Sequence, residues 1–224
     1  MSGTFLFADL AGFTALTEAH GDQQAADLAT EFRAWVRELL PRHRADDIKQ
    51  IGDALMLRAA EAADGVRLGI EIVCDLGQQD RFPSVRVGMH SGEALEREGD
   101  WFGATVNLAA RVSALAEGGE VLLTAATRDA AGDPAGIAFE DRGRRTLRHV
   151  REPVSLYAAT PEGERTTERL PIDPVCHMGV DPRHSAGELV FEGTRFHFCS
   201  LECASAFARE PEIYATRSAR APER

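Results

Sequence analysis

Lysine is almost absent from this 224-residue sequence: 24 of the 25 basic residues are arginine, and Lys49 is the single lysine. This bias makes the position of Lys49 informative, because a random choice among the basic positions would place the lysine there about one time in 25. Cysteine is also scarce, and three of the four cysteines lie near the C-terminus. In a reducing compartment, such a cluster indicates a metal site rather than a disulfide framework.

Long apolar runs are absent too. No run approaches the ~20 residues that a transmembrane helix needs, and the N-terminus lacks the basic segment of a signal peptide, so we expect a cytoplasmic protein with no membrane partner. The net charge is -11 and the pI is about 5.1, which disfavours nucleic-acid binding because the chain repels a phosphate backbone. A single polyphosphate can still bind where metal ions or arginines supply positive charge.

The hydrophobic pattern predicts an α+β domain with the order β-α-β-β-α-β, which is typical of a ferredoxin-like fold. The composition changes near Thr160, which predicts a first domain over 1–160, a linker over 161–171, a small Cys/His/aromatic α+β domain over 172–214 and a flexible tail over 215–224. We expect strands at 4–9, 47–51, 54–57, 85–90, 94–97, 121–124, 137–140 and 154–159, and helices at 22–40, 62–76 and 103–115.

Two aspartates stand at predicted strand ends. Asp9 ends the first strand, and Asp53 lies at the tip of the hairpin that joins the second and third strands. Because the first strand lies beside this hairpin in a β-α-β-β-α-β sheet, the two carboxylates can converge. Two carboxylates together with substrate phosphates are the usual ligands of Mg²⁺ in proteins. The backbone N–H groups of Gly12, Phe13 and Thr14 open a helix and can bind a polyphosphate.

Three segments resemble motifs of class III adenylate and guanylate cyclases, in the order and at the spacing of that family: FADLAGFT (7–14), IKQIGDALM (48–56) and GDWFGATVNLAARV (99–112). The resemblance covers about residues 4–159. It implies a ferredoxin-like catalytic core that works as a dimer. It also implies that Asp9 and Asp53, with the backbone of Leu10, hold two Mg²⁺ or Mn²⁺ ions per active site.

The same resemblance assigns roles to four further residues. Lys49 and Asp100 match the pair that reads adenine, and a lysine donor with an aspartate acceptor complements the ring nitrogen and the exocyclic amino group of that base. Asn107 and Arg111, four apart on one predicted helix, share a face and match the residues that orient the ribose and neutralise the α-phosphate.

A later basic residue contacts the phosphates in relatives, where lysine is usual. Arg148 stands at this position, and His149 follows where glycine is common. The resemblance implies a phosphate-binding role for Arg148, with arginine in place of the usual lysine.

The function implied is an adenylate cyclase that makes cyclic AMP and pyrophosphate from ATP. In the family, each site takes one half-set of residues from each protomer, and the two half-sets face each other across a dimer interface. The resemblance therefore implies a homodimer with two equivalent sites. One half-set is Asp9 and Asp53, and the other is Lys49, Asp100, Asn107 and Arg111. Two alternatives stay open: a guanylate cyclase, and a catalytically silent cyclase fold that senses metal.

The C-terminal segment, DPVCHMGVDP followed by FEGTRFHFCSLECASAFAREPEIY, resembles a YHS domain. Its cysteines, Cys176, Cys199 and Cys203, can form a thiolate site for Zn²⁺ or Cu⁺. The fourth ligand is open, and the candidates are His177, Met178, His184 and His197. Three buried structural thiols are the alternative. We hypothesise that metal occupancy tunes dimerisation of the cyclase.

Overall fold

A computed structural model of the chain describes residues 1–163 and 170–218. In this part of the chain, one mixed sheet of seven strands has the order β2-β3-β1-β4-β7-β9-β8. The strands are β1 (Ser2–Leu10), β2 (Ala45–Ile51), β3 (Ala54–Ala59), β4 (Val85–Glu93), β5 (Leu95–Arg97), β6 (Asp100–Phe102), β7 (Val121–Thr124), β8 (Ile137–Arg145), β9 (Val154–Pro161), β10 (Gly187–Phe191) and β11 (Thr194–Phe198). The helices are α1 (Phe13–His20), α2 (Asp22–Leu39), α3 (Ala62–Leu76), α4 (Ala104–Ser113), α5 (Ala125–Ala131), α6 (Leu201–Arg209) and α7 (Pro211–Ser218), with a 3-10 turn at Leu40–His43.

Strand β1 lies inside this sheet and pairs antiparallel with both β3 and β4. Leu6, Ala8 and Leu10 point into the core that α2 and α3 cover, whereas Phe5 and Phe7 point to the other face, into the cluster that includes part of α4. A strand that is buried on both faces is expected to be apolar along almost its whole length. The order β2-β3-β1-β4 confirms the predicted ferredoxin-like α+β core.

One predicted turn is wrong. The Ser91-Gly92 pair was expected to separate two strands, but β4 continues through both residues to Glu93. Both residues pair with β1, Ser91 with Thr4 and Gly92 with Gly3. The hydroxyls of Thr4 and Ser91 also hydrogen-bond at 2.7 Å. Cross-strand pairing over the full length of β1 therefore overrides the turn preference of a Ser-Gly dipeptide.

Other differences concern elements that the hydrophobic pattern did not separate. Helix α1 begins at Phe13, where a helix was expected to open, whereas helix α5 and the short strand β6 were not predicted. Strand β8 extends to Arg145 because it pairs along the length of β9. The predicted start of the tail at 215 falls within α7, which continues to Ser218. Positions 164–169 of the predicted linker and 219–224 of the tail lie outside the described residues.

The C-terminal module packs on the first domain. Its aromatic core, which includes Phe198 and Phe207, forms one apolar cluster with Leu16 of α1 and Ala25 of α2. Backbone hydrogen bonds also join the two parts, from Arg81 N–H to the Gly179 carbonyl and from Gly179 N–H to the Phe82 carbonyl, both at 2.8 Å. Across the described residues, every helix is too short or too polar to cross a bilayer.

Candidate active site and cysteine–histidine cluster

The two predicted metal carboxylates meet at one end of the central strands. Ala8 of β1 lies opposite Leu55 of β3, which places Asp9 beside the two-residue turn of the β2–β3 hairpin. Gly52 makes this turn with a φ of 65°, a conformation that favours glycine. The Asp9 carboxyl lies close enough to that of Asp53 to act on its pKa through a hydrogen bond and through its charge. The predicted convergence of the pair is therefore present in the structure.

This proximity changes the acidity of Asp53. Burial, and then the hydrogen bond and the negative charge of Asp9, raise the pKa of the Asp53 carboxyl to about 6. The guanidinium of Arg86 acts in the opposite sense. The pair is therefore incompletely neutralised by the protein, and its oxygen-only donor set suits a hard divalent cation such as Mg²⁺ or Mn²⁺.

Arg86 is a site residue that sequence reasoning missed. It lies directly opposite Asp9 in the β1–β4 ladder, and its Nε donates a hydrogen bond of 2.8 Å to Asp9 Oδ2. A second contact joins Arg86 Nη2 to the same oxygen. Asp9 and Arg86 are 77 positions apart in the sequence. The register of such distant strands has no local signature, so the pairing could not be predicted from the residues around Arg86.

The turn between β1 and α1 is the predicted polyphosphate-binding loop. Gly12 has a φ of 76° and precedes the first helical residue, Phe13, while the Leu10 side chain is buried in the core, so only its backbone can contribute to the site. A Cβ at Gly12 would lie 2.5 Å from Cδ2 of His177. Gly12 is therefore required both by the backbone conformation and by the close contact with the C-terminal module.

The predicted base-reading residues are in direct contact. Lys49 Nζ, on β2, donates to Asp100 Oδ2, on β6, at 2.6 Å, and this bond lowers the pKa of the Asp100 carboxyl. The other oxygen, Oδ1, accepts the backbone N–H of Trp101 at 2.7 Å. The ammonium also lies 5.7 Å from the centre of the Phe102 ring, within the range of a cation–π contact. Both side chains remain about one-third exposed and so are accessible to a ligand.

Helix α4 presents Asn107 and Arg111 away from the core. The helix packs very close to β4, because a Cβ on Gly88 would lie 1.9 Å from the backbone nitrogen of Ser113. Asn107 is exposed and Arg111 is half-buried on the open side of the helix. Within residues 1–163 and 170–218, Arg111 forms no ion pair, so its charge is available to an anionic ligand.

Arg148 lies in the exposed connection between β8 and β9. His149, which follows it, has a φ of 61°. This left-handed conformation is one that glycine adopts without strain. The structure gives Arg148 a surface position and brings it to none of the other predicted site residues described here.

A second cluster lies where the C-terminal module meets α1. The Sγ atoms of Cys176 and Cys199 are 3.4 Å apart, and those of Cys199 and Cys203 are 3.7 Å apart. His20, the last residue of α1, completes the group: its Nε2 lies 3.4 Å from the Sγ of Cys199 and 3.8 Å from that of Cys203. All four donor atoms lie within 4.8 Å of one another, and we call this group the Cys–His cluster.

Residues 2–160 match the adenylate and guanylate cyclase catalytic domain, and residues 172–218 match the YHS domain. The chain belongs to the adenylate and guanylate cyclase family. It is similar to a pH-sensitive adenylate cyclase of Mycobacterium tuberculosis, at 36% identity over 166 residues that cover 73% of this chain and 42% of that protein. An adenylate cyclase of Streptomyces griseus is 32% identical over 120 residues, which cover 54% of this chain and 30% of that protein.

The cyclase fold is also found by structural comparison. Adenylate cyclases of Trypanosoma brucei, described in their monomeric state, superpose with a TM-score of 0.67 at 25% identity, covering 74% of this chain and 90% of theirs. The chain spans less than half the length of the two curated relatives named above. Similarity to these proteins therefore identifies the cyclase domain and its fold. The choice of nucleotide depends on the residues of the site itself.

The identity of the fourth group in the Cys–His cluster corrects the expectation from the YHS sequence. Met178 is buried in the same apolar group as the three cysteines. The three histidine candidates lie outside the cluster: His177 packs on Gly12, and His184 contacts Asp181 on the surface. His197 lies on β11 and faces Glu188 at 3.8 Å. His20 was missed because it lies in the cyclase domain, 179 positions before Cys199, and its surroundings, TEAHGD, contain no metal-binding pattern.

Asp173 holds the cysteine positions in place. This fully buried carboxylate accepts the backbone N–H of Val175 at 2.8 Å and that of Cys199 at 2.9 Å, which ties the turn carrying Cys176 to the end of β11. Burial raises the pKa of Asp173, and the nearby Cys203 adds to this effect. Cys203 lies in the first turn of α6, where its N–H donates to Ser200 Oγ at 3.1 Å.

Proton sharing distinguishes the three thiols. Hydrogen bonds with Cys199 and Cys203 raise the pKa of Cys176, and burial adds to this effect. Hydrogen bonds from Cys176 and Cys199 lower the pKa of Cys203. Of the three thiols, Cys203 is therefore the one whose surroundings most favour the thiolate, the form that binds metal.

Replacing Asp53 by asparagine is expected to stabilise the protein in EDTA at pH 7 by about 1 kcal/mol, a figure reduced for the partial exposure of this side chain. For a chain of this length, this corresponds to a rise in Tm of about 2–4 °C. The reason is that the pKa of Asp53 is raised on folding, from 3.8 to about 6. Burial of the ionised Asp53 carboxyl, together with its interaction with Asp9, therefore destabilises the native state above pH 6, and this effect disappears as the pH falls towards 4.

Differential scanning calorimetry of Asp53→Asn between pH 4 and pH 8 checks this expectation. The gain in Tm should fall to about half at pH 5. Asp129→Asn, at an exposed position on α5, is the matched control and should show no such pH dependence. A gain in Tm that stays constant across this range would contradict the raised pKa of Asp53 as its cause.

Proposed function

We propose that the chain is an adenylate cyclase that converts ATP into 3′,5′-cyclic AMP and pyrophosphate at the interface of a homodimer. The observation that carries the proposal is the 2.6 Å contact between Lys49 and Asp100, in a cyclase domain whose acidic pair, Asp9 and Asp53, is also assembled. The relatives named adenylate cyclase support the same choice of nucleotide.

The Lys49–Asp100 pair has the polarity that adenine requires. The ammonium retains donors beyond the one used for Asp100, and it can donate to a ring nitrogen. The Asp100 carboxylate can accept the exocyclic amino group of the base. Guanine presents a carbonyl oxygen at the position of this amino group, so that two acceptors would face each other. A guanylate cyclase activity is therefore disfavoured by these two residues.

The acidic pair and the β1–α1 turn suit the polyphosphate end of ATP. Asp9 and Asp53, with the backbone of Leu10, are the residues that would hold two Mg²⁺ or Mn²⁺ ions, which supply charge neutralisation at the phosphates and activation of the 3′ oxygen. The N–H groups of Gly12, Phe13 and Thr14 open α1 and would bind phosphate oxygens.

In the proposed reaction, the ribose 3′ oxygen forms a bond to the α-phosphorus in line with the bond to the β-phosphate, which breaks. The 3′ hydroxyl proton leaves to solvent, and pyrophosphate departs with the electrons of the broken bond. Asn107 orients the ribose, and Arg111 neutralises charge that develops on the α-phosphate. Arg148 is assigned to the leaving phosphates, on the resemblance alone.

Two features favour a homodimer as the active form. First, no hydrogen bond or ion pair joins Lys49–Asp100 to Asp9–Asp53 within the described residues, and β3 separates the strands that carry Lys49 and Asp9. Second, apolar side chains are exposed close to the Lys49–Asp100 pair: Ile51 on β2, Leu95 on β5 and Phe102 on β6 are 48–54% exposed. Such residues are typical of a surface that another protein covers, and a two-fold axis would bring the two pairs into each of two sites.

The direct test is incubation of the full chain with ATP and Mn²⁺ or Mg²⁺, followed by detection of cyclic AMP by mass spectrometry. We expect product from the wild type and a decrease of at least about 100-fold in Asp53→Ala, because electrostatic stabilisation of the transferring phosphate is lost. Asp129→Ala should retain activity. Absence of product from the wild type with both metals would refute the proposal and favour a silent cyclase fold.

The homodimer is tested by pairing inactive variants. Heterodimers of Asp53→Ala with Arg111→Ala, purified through two different tags, should recover about half of the wild-type activity, because one of the two sites contains only intact residues. Heterodimers of Asp53→Ala with Asp9→Ala should remain inactive, since both changes affect the same half-set. Equal activity in the two pairings would argue against sites shared between protomers.

Nucleotide choice is tested with the double variant Lys49→Glu/Asp100→Ser, which offers an acceptor to the N–H groups of guanine and a donor to its carbonyl. The ratio of kcat/KM for GTP to that for ATP should rise by at least about 10-fold, because the variant side chains no longer match the polar groups of adenine and do match those of guanine. Glu96→Gln, in the same β5–β6 hairpin, is the control. An unchanged ratio would show that this pair does not read the base.

A further inference from the structure

The Cys–His cluster has the dimensions of a tetrahedral metal site. With Zn–S bonds of about 2.3 Å and Zn–N bonds of about 2.0–2.1 Å, tetrahedral geometry places neighbouring sulfurs about 3.8 Å apart and sulfur and nitrogen about 3.6 Å apart. The observed separations are 3.4 and 3.7 Å between sulfurs and 3.4 and 3.8 Å between sulfur and His20 Nε2. A disulfide would require about 2.05 Å between the sulfurs, and all three thiols are free.

The donor set also selects the ion. Three thiolates and one imidazole form one of the standard ligand sets of structural zinc. The three cysteines are buried and His20 is half-buried, so the site is enclosed by protein. Cys176, Cys199 and Cys203 come from the YHS domain, whereas His20 comes from the cyclase domain.

We propose that His20 completes a Cys₃His zinc site that joins the two domains, and that zinc binding there fixes helix α1 of the cyclase domain. The effect of zinc on helix α1 does not depend on the proposed cyclase function; only its effect on ATP binding does. Under this proposal, zinc acts on the cyclase domain through the contact between the two domains, rather than within the YHS domain alone.

Helix α1 is held by the YHS domain along its whole length. His20 at its end lies in the Cys–His cluster, and Leu16 in its middle is fully buried against the YHS core. At its start, Gly12 is in contact with His177, the residue that follows the ligand Cys176. The helix has eight residues and is therefore only about 12 Å long.

This arrangement couples zinc binding at the Cys–His cluster to the turn that follows Asp9. Loss of the ion removes the link at His20 and frees the thiol-bearing turns on either side of it, including the turn that presses His177 against Gly12. Gly12 lies three residues after Asp9. A ligand that binds only the docked state stabilises it, so zinc occupancy should control how well the turn that follows Asp9 is ordered.

Zinc affinity of the full chain tests the ligand assignment. Competition with a chromophoric chelator should give one tight site per wild-type chain. His20→Ala should weaken binding by at least about 100-fold, because loss of a direct ligand exceeds the 10–100-fold effect typical of an outer-shell partner. His20→Cys should restore tight binding, since Cys₄ is also a standard zinc set. His184→Ala, on the surface of the YHS domain, is the control and should bind zinc like the wild type.

Cobalt substitution supplies a spectroscopic readout. The Co²⁺-loaded wild type should show the intense d–d bands of a tetrahedral site, and His20→Cys should shift them. Unchanged zinc affinity in His20→Ala would overturn the assignment. The assignment would also be overturned if the chain retained Cu⁺ but not zinc, with equal Cu⁺ affinity in the wild type and in His20→Ala. A disulfide between Cys176 and Cys199 in place of bound metal would overturn it as well.

Hydrogen–deuterium exchange tests the coupling without any assay of activity. Removal of zinc should increase exchange in residues 11–20 of the wild type, while exchange in α3 stays unchanged. Under the proposed function, zinc removal should also raise the KM for ATP several-fold in the wild type but not in His20→Ala. Exchange in α1 that does not respond to zinc would overturn the coupling, whereas a protein that binds zinc in this way but makes no cyclic AMP would refute only the proposed function.

Discussion

The antiparallel pairing of β1 with both β3 and β4 is the constraint on which the rest of the structure depends. It puts Asp9 beside the hairpin turn that carries Asp53 and opposite Arg86. Because β1 is buried on both faces, its position cannot shift by one residue without moving apolar side chains out of both cores. The chain that leaves β1 becomes α1 after only two residues, so the same constraint also fixes the helix that carries His20.

The electrostatics of the candidate site follow from a few pairs rather than from the net charge of the chain. The acidic pair is left partly unneutralised, since Arg86 contacts Asp9 but Asp53 still has a raised pKa. The Lys49–Asp100 pair is neutral as a unit and accessible. The half-buried Arg111 faces away from the core without a carboxylate partner in the described ranges. One region thus attracts cations, one offers matched hydrogen-bonding groups and one attracts anions, which is the distribution that a nucleoside triphosphate with divalent metals requires.

Sequence reasoning predicted what depends on local pattern and missed what depends on register and docking. The hairpin around Gly52, helix α3 and strand β7 follow from periodicity and turn residues, and the convergence of Asp9 and Asp53 follows once the strand order is known. The Lys49–Asp100 pair was expected only from the family resemblance, since Asp100 lies on β6, outside the main sheet. Arg86 could not be identified, because its role depends on which residue of β4 lies opposite Asp9. His20 could not be identified either, since its partners belong to another domain. The wrong turn at Ser91-Gly92 has the same origin, as pairing with β1 decided a conformation that local preference left open.

The docking of the YHS domain explains why its small size is compatible with a stable core. A segment of about 40 residues rarely buries enough apolar surface to fold unaided. Here its aromatic side chains share one cluster with Leu16 and Ala25 of the cyclase domain, and the edge at Gly179 is completed by backbone hydrogen bonds to Arg81 and Phe82. Part of the YHS core therefore consists of cyclase residues. A change that loosens the YHS domain must also uncover α1, the helix that begins at the turn after Asp9, so the stability of the two domains cannot be independent of each other.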